Sequence, residues 1–271
     1  MATTDEQTRT DPQIRYVDAS IKRVTAENAI EYAYRDLGAG DVPLVLLQHF
    51  RGNLDNWDPA LIDDLAAERR VVPFDNVGVG ATPGTTPNTV EAMARDAIAF
   101  IEAMNFQQVD LLGFSLGSFV AQEITLIRPD LVRRVVLASS APQGAAGMHG
   151  WAPEVIGAVG QREPNPQGYL DVFFASTSTS QQAGRQAAGR IFGRTNNRDE
   201  PTTWQTRQAQ YDAVCAWGVP VPARSCALVT RQSVGRKESV TNTPFPVTTR
   251  SFRNPPEPVS NVARSSFVRR L

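Results

Sequence analysis

Four short apolar runs recur between residues 42 and 140, and they restrict the possible folds more than any other feature of the chain. They read VPLVLLQ (42–48), RRVVPFD (69–75), QVDLLGF (108–114) and VRRVVLASS (132–140). Short runs rich in Val and Leu are typical of strands that are buried on both faces of a parallel sheet. Segments with helical spacing separate the runs, and such alternation requires right-handed crossovers. We therefore predict an α/β protein with a doubly wound, mainly parallel sheet.

The helices between these runs are indicated by the spacing of apolar residues and by their end signals. Asn88 with Glu91 three residues later resembles a capping box, which predicts where the second helix begins. Proline residues lie only in the first turn of the first helix and at the end of the third, where a helix tolerates them. The predicted helices cover residues 56–68, 88–104 and 116–129.

The chain divides by composition into four segments: a polar leader (1–20), an α/β core (21–142), a helical lid (143–218) and an atypical basic tail (219–271). From residue 141 the regular pattern weakens, and bulky aromatic residues alternate with polar stretches. This pattern favours a helical insertion placed over the sheet. Ordinary surface helices that continue the α/β pattern are the alternative.

Targeting and metal-binding signals are absent from the sequence. The first residues, MATTDEQTRT, are polar and acidic, and no apolar run approaches the length that spans a membrane. We expect a cytoplasmic protein that makes no use of a membrane. Cys215 and Cys226 are too few for a disulfide framework and lack the spacing of a metal site, so we expect reduced thiols and no bound metal.

The segment GFSLG (113–117) is the strongest indication of chemistry. It matches the Gly-x-Ser-x-Gly pattern, with an apolar strand before it and a helix directly after it. A serine on so sharp a strand-to-helix turn needs neighbours without Cβ atoms, which accounts for Gly113 and Gly117. The N-terminus of the following helix also directs free N–H groups toward an anion that forms beside Ser115. Ser115 is thus the candidate nucleophile.

Two further motifs accompany this serine. QHFRG (48–52) follows the first apolar run, and Trp57 stands seven residues after Phe50. DNVGVG (75–80) follows the second run. In these three motifs the chain resembles the α/β-hydrolase superfamily, particularly its cofactor-free esterase, perhydrolase and haloperoxidase-like members. The resemblance extends from about residue 24 to residue 142.

The resemblance implies the parts of a site. Ser115 would be the nucleophile, and the backbone N–H groups of Phe50 and Leu116 would form the oxyanion hole. No metal or organic cofactor is implied. Dehalogenases and epoxide hydrolases of this superfamily carry Asp at the position of Ser115, so their chemistry is disfavoured. Gln48 and His49 stand where the family usually has His and Gly, which is a departure from its pattern.

A general base is not identifiable in the sequence. The family orders its triad as Ser, then an acid, then a His close to the C-terminus. The chain has only two histidines, His49 and His149. We expect a structural role for His49, because it falls in the oxyanion turn, and an exposed or lid-packing role for His149. Without the base, turnover falls by about 10^6-fold, so we expect a very poor hydrolase.

The tail from residue 219 differs in character from the rest of the chain. Residues 221–271 contain eight Arg and one Lys against two Glu, and no Asp or His. Translation in the wrong frame would explain the abrupt change. A genuine basic, disordered tail and a real non-catalytic relative that keeps its pocket are the two alternatives. Without the family's last strands, an open sheet edge and exposed apolar surface are expected.

The motifs together predict hydrolysis of a small ester or related acyl substrate through Ser115, with little activity in the chain as printed. The partner is a small molecule, because neither a nucleic-acid pattern nor a membrane segment is present. The alternative is a non-catalytic protein of the same fold that binds a ligand in the pocket. The sequence does not identify the substrate.

Overall fold

A four-stranded parallel sheet forms the centre of the protein, in the order β4-β3-β5-β6. The computed structural model describes residues 14–145, 150–163 and 165–219. The strands are β1 (Lys22–Thr25), β2 (Glu31–Tyr34), β3 (Leu44–Leu47), β4 (Val71–Pro73), β5 (Val109–Phe114) and β6 (Val132–Ala138). The helices are α1 (Pro59–Ala66), α2 (Val90–Ala103), α3 (Leu116–Ile127), α4 (Pro153–Val159), α5 (Pro166–Phe173), α6 (Ser178–Ile191) and α7 (Trp204–Trp217). The predicted fold class is confirmed.

Two short strands that precede the central sheet in the chain form an antiparallel pair. β1 and β2 pair from Lys22 with Tyr34 to Thr25 with Glu31. The chain then continues antiparallel to β4, where the Arg35 N–H donates to the Pro73 carbonyl at 3.0 Å. This pairing attaches the N-terminal strands to the outer side of the central sheet.

Burial differs sharply between the inner and outer strands of the sheet. All four residues of β3 are buried, and so are the first five of β5. β6 lies at the end of the described sheet, where it pairs with β5 alone, and Leu137 is 43% exposed. Whether β6 is an open edge of the full sheet stays a prediction, because residues 220–271 lie outside the described ranges.

The helices begin close to the predicted positions, with one correction. The side chain of Thr89 accepts the Ala92 N–H and caps α2, so the prediction of Asn88 as the capping residue was wrong by one position. Thr is an adequate cap in its own right, and its extended backbone allows the helix to start at the next residue. α7 packs against α3, where Trp217 stacks on Phe119 with the ring centroids 5.3 Å apart.

Residues 150–219 are mostly helical and contain α4 to α7. Whether this segment acts as a lid remains a prediction. His149, the first part of the leader (1–13) and the tail from residue 220 lie outside the described residues. Within the described ranges, no helix has the length and apolar character needed to cross a membrane.

A buried group of polar side chains holds the end of α6 against the core. The Tyr16 hydroxyl donates to the Leu54 carbonyl, and the Arg35 and Arg194 guanidiniums lie 5.1 and 5.4 Å from the Tyr16 ring centroid. Both guanidiniums pair with Asp55, at 2.7 and 3.4 Å. Tyr16, in the polar leader, is thus buried as a core residue.

Candidate functional site

Ser115 occupies a sharp turn between β5 and α3. Its φ of +53° and ψ of −119° fall in a region that residues with a Cβ atom rarely adopt. Its N–H donates to the Ala138 carbonyl at the end of β6, at 2.9 Å. Its carbonyl accepts from the Ser118 N–H at 2.8 Å and from Ser118 Oγ at 2.6 Å. These bonds hold the strained backbone in place and leave the serine side chain at the start of α3.

The glycines on either side of Ser115 allow close backbone contacts. A Cβ atom at Gly117 would collide with the Leu47 carbonyl at the end of β3. A Cβ at Gly113 would collide with the Gly117 carbonyl and would lie 2.6 Å from Ser118 Cα. Both obstacles are backbone atoms, which cannot move aside cheaply. The turn therefore requires glycine at both positions.

The two predicted oxyanion donors lie on the segments that flank this turn. Leu116 is the first residue of α3, so its N–H has no acceptor within the helix. Within the described ranges, no carbonyl or side chain accepts the Phe50 N–H. Two N–H groups without an acceptor on adjoining segments agree with the prediction of an oxyanion hole, which stays a prediction.

The turn that carries Phe50 is held by residues from the far end of the described chain. Arg51 has a φ of +63°. Its N–H donates to Gln210 Oε1 on α7 at 2.6 Å, and its carbonyl accepts from Thr202 Oγ1 at 2.8 Å. Phe50 itself is buried, with its ring edge-on to Trp151 at 4.6 Å between centroids. The segment after α6 thus fixes both polar groups of the Arg51 backbone.

The His49 side chain makes its polar contact within the turn on which it lies. Its Nδ1 lies 2.8 Å from the Phe50 carbonyl, and its ring packs edge-on against Phe114, with the centroids 5.3 Å apart. Burial of the ring lowers the pKa of His49, while the hydrogen bond with the Phe50 carbonyl acts in the opposite direction. Within the described residues, no hydrogen bond connects an imidazole to Ser115.

A pair of buried carboxyl groups lies beneath the same turn. The Leu54 N–H donates both to Asp75 Oδ1 at 2.9 Å and to Asp199 Oδ2 at 3.0 Å. Within the described residues, no N–H donor reaches Asp75 Oδ2, which faces Asp199 across the space left by Gly80. Burial, followed by the charge of Asp199 and a hydrogen bond with it, raises the pKa of Asp75 well above its ordinary value. The raised pKa favours the protonated form of Asp75 in this buried place.

Two arginines converge on the turn that ends α4. Arg51 Nη1 donates to the carbonyls of Val159 at 3.2 Å and Gln161 at 2.7 Å. Arg207 Nε donates to the carbonyl between them, that of Gly160, at 3.0 Å. Three successive carbonyls at a helix C-terminus therefore receive guanidinium N–H groups, a favourable position for positive charge.

A small cavity of about 30 Å³ lies between the nucleophile turn and α7. Its polar lining comprises Gln48, His49, Asn76, Thr86 and Gln210, and Leu116 and Gly117 line its inner side. The volume is enough for one or two water molecules. Within the described ranges, no three His, Cys, Asp or Glu side chains converge to form a metal site.

Several of these contacts could not be found from the sequence. Thr202, Asp199, Arg207 and Gln210 lie about 150 positions from the turn they contact, in a segment without a motif. Their only sequence signal was the concentration of aromatic residues around them, which indicated a packed segment. The predicted residues Ser115, Gly113, Gly117, Phe50 and Leu116 lie on the two adjoining turns described above.

Comparison with known proteins gives a consistent family. The model of the α/β hydrolase fold matches residues 42–212. A solved α/β hydrolase fold protein from Chitinophaga pinensis is 38% identical, with a TM-score of 0.73, and the match covers 78% of this chain and 76% of that one. A hydrolase structure from Pseudomonas aeruginosa is 25% identical, with a TM-score of 0.52 and 72% of each chain covered.

The curated relatives are matched over shorter lengths. A Mycobacterium tuberculosis protein carrying the name non-heme bromoperoxidase BpoC is 38% identical over 40% of this chain and 41% of its own. The pimeloyl-[acyl-carrier protein] methyl ester esterase of Klebsiella pneumoniae is 30% identical over 57% of this chain and 60% of its own. The chain therefore spans about two fifths to three fifths of the length of these relatives.

Proposed function

Because this chain belongs to the α/β-hydrolase family, we propose that it is built to hydrolyse a small ester or related acyl substrate through Ser115. The observation that carries the proposal is the backbone of Ser115, with its φ of +53° at the first turn of α3. Such strain persists only where surrounding structure enforces it, and it concentrates at functional sites. The name of the Klebsiella relative, a methyl ester esterase, supports an ester as the substrate bond.

The chemistry follows from the groups around the turn. Ser115 Oγ forms a bond to the acyl carbon, and the carbonyl oxygen takes up the negative charge as an oxyanion. The N–H groups of Phe50 and Leu116 stabilise that charge. The hydroxyl proton must pass to a base, which then gives it to the oxygen of the leaving group, so that the alcohol departs as the carbonyl re-forms. Water hydrolyses the acyl-serine by the same steps.

The sequence offers no evident general base for Ser115. The sequence contains only His49 and His149, and His49 is held against the Phe50 carbonyl. An isolated serine hydroxyl is a poor nucleophile at neutral pH. We therefore propose that the chain as printed hydrolyses esters very slowly, with the oxyanion hole and binding retaining about 10^3-fold over water.

The second candidate function is ligand binding without turnover. It is favoured by the absence of an imidazole hydrogen bond to Ser115 within the described residues. In this case the turn around Ser115 would contribute to ligand binding alone, without turnover.

Hydrolysis of p-nitrophenyl acetate by the wild type and by Ser115→Ala separates the two functions. The proposed hydrolase gives a small rate that depends on Ser115, together with an acetyl adduct on the peptide that carries Ser115. Equal rates for the two proteins and no adduct would favour the binding protein. Ser140→Ala is the matched control, because Ser140 is an exposed serine close to the same turn.

A further inference from the structure

Arg51 and Arg207 differ from the other arginines that are not exposed in the described part of the chain. The others, Arg35, Arg69, Arg70, Arg128 and Arg194, each form an ion pair with an aspartate or glutamate. Arg207 is only 6% exposed and Arg51 is partly buried, yet neither has a carboxylate partner among the described residues. Buried charge without a counter-ion is costly, so this exception needs an explanation.

The surroundings of Arg207 reduce this cost but do not remove the charge. Its guanidinium carbon lies 4.9 Å from the ring centroids of Trp204 and Tyr211 and 5.9 Å from that of Phe50. Its hydrogen bonds go to the Gly160 carbonyl and to Gln208 Oε1, both neutral groups. Ring faces and carbonyls attract a cation, but they carry no net negative charge.

The two guanidiniums also lie close to each other. Both donate to the turn 159–161. Burial, followed by repulsion from the charge of Arg207, lowers the pKa of Arg51. Two like charges therefore lie beside the turn that carries Phe50, and neither forms an ion pair among the described residues. An anion bound here would be attracted by both groups.

Unused donors are present for such an anion. In the described hydrogen bonds, Arg51 uses only Nη1 of its side chain, and Arg207 uses Nε and Nη1. Arg51 Nε and Nη2 and Arg207 Nη2 form no hydrogen bond among the described residues. Planar guanidiniums match the two oxygens of a carboxylate, and the aromatic rings around them suit an apolar group attached to it.

We propose that Arg51 and Arg207 form a binding site for the carboxylate of an organic acid, so that the acyl substrate carries a carboxylate besides its scissile bond. The identification of this acid with the substrate rests on the proposed function, while the anion site itself does not. The site adjoins the oxyanion turn through Phe50, which contacts the Arg207 guanidinium on one side and carries the candidate N–H donor on the other.

Binding of phenylacetate and of its neutral analogue phenylacetamide tests the proposal. The two molecules have the same shape and differ in charge, and titration calorimetry measures both affinities on the full chain. We expect phenylacetate to bind about tenfold or more tightly than the amide, because hydrogen bonds between charged groups are stronger than those to a neutral amide. Equal affinities, or no binding of phenylacetate, would overturn the proposal.

Variants locate the effect and keep it separate from the chemistry of Ser115. Arg51→Gln and Arg207→Gln should each abolish the preference for phenylacetate, whereas Arg185→Gln, which removes an exposed arginine on α6, should retain it. If Arg207→Gln fails to fold, Arg51→Gln still decides the outcome. Ser115→Ala should bind phenylacetate as the wild type does, so a failure of the proposed hydrolysis leaves this test intact. Stronger binding of inorganic phosphate than of phenylacetate would contradict the choice of a carboxylate.

Discussion

The backbone N–H of Arg51 donates to the side-chain oxygen of Gln210 at 2.6 Å, across 159 positions of the chain. Arg51 follows Phe50 in the turn that we propose to supply an oxyanion donor, and Gln210 is a buried residue of α7. A single side chain of the last described helix thus holds the backbone on which the proposed oxyanion donor depends. The segment after α6 is therefore in direct contact with the turn that carries Phe50.

Replacing Gln210 should disturb that turn. In Gln210→Ala the Arg51 N–H loses its acceptor in a partly buried place, which costs about 1–3 kcal/mol of unfolding free energy. We also expect slower modification of Ser115 by a fluorophosphonate. Urea unfolding and mass spectrometry measure the two effects. Gln205→Ala, an exposed position on the same helix, is the control and should change neither.

The carboxyl pair Asp75 and Asp199 predicts an unusual dependence of stability on pH. The pKa of Asp75 is raised in the folded protein, so the folded state holds its proton more tightly than the unfolded state does. The stabilisation is complete below the unfolded pKa and is lost as the pH rises through the raised folded pKa. Asp75→Asn, which mimics the protonated acid, should therefore be more stable than the wild type at about pH 8 and close to it at about pH 4.

Asp110 is a matched control, because its pKa is shifted in the opposite direction from that of Asp75. Burial raises its pKa, but hydrogen bonds from Arg133 and Arg69 outweigh burial and lower it overall. Its contribution to stability is present above the unfolded pKa and is lost as the pH falls. Asp110→Asn should lose most stability near neutral pH. If Asp75→Asn followed the same trend in urea unfolding, the raised pKa of Asp75 would be refuted.

Gly117 should tolerate no side chain. In Gly117→Ala the added Cβ meets the Leu47 carbonyl, which belongs to the central sheet. We expect a loss of about 1–3 kcal/mol of unfolding free energy, as for overpacked cores. Gly189→Ala is the control, because a Cβ there meets nothing within 4 Å inside α6, and it should gain up to about 1 kcal/mol. Thermal unfolding of the two variants decides the matter.

A substitution at position 115 itself can relieve the backbone strain of the turn. Ser115→Gly should be more stable than Ser115→Ala by about 1 kcal/mol, because glycine adopts this φ and ψ freely and alanine does not. Urea unfolding measures the difference. Equal stability of the two variants would show that the turn relaxes, and the argument from strain to function would then fail.

Local patterns predicted the parts of this protein that depend on neighbouring residues. The buried runs of β3 and β5 and the turn GFSLG have signals within a few positions of each other. The cap of α2 was misplaced by one residue because Asn88 and Thr89 are both good caps, and packing selects between them.

Contacts between residues that are far apart in the sequence had no local pattern that would predict them. Asp199 and Gln210 reach the oxyanion turn from a segment without periodicity, and Tyr16 is buried although the leader around it is polar. Each of these positions is decided by tertiary packing. A single sequence carries no record of such packing beyond the apolar character of the residues.

The most direct test of the account is the rate at which a fluorophosphonate modifies Ser115 with and without added imidazole. If the turn and the oxyanion donors are intact and only the base is missing, modification is slow, occurs at Ser115 alone, and accelerates with imidazole. Ser115→Ala should remain unmodified under both conditions. Rapid modification without imidazole would mean that a base is already present, and an absence of any imidazole effect would mean that Ser115 is not an activatable nucleophile.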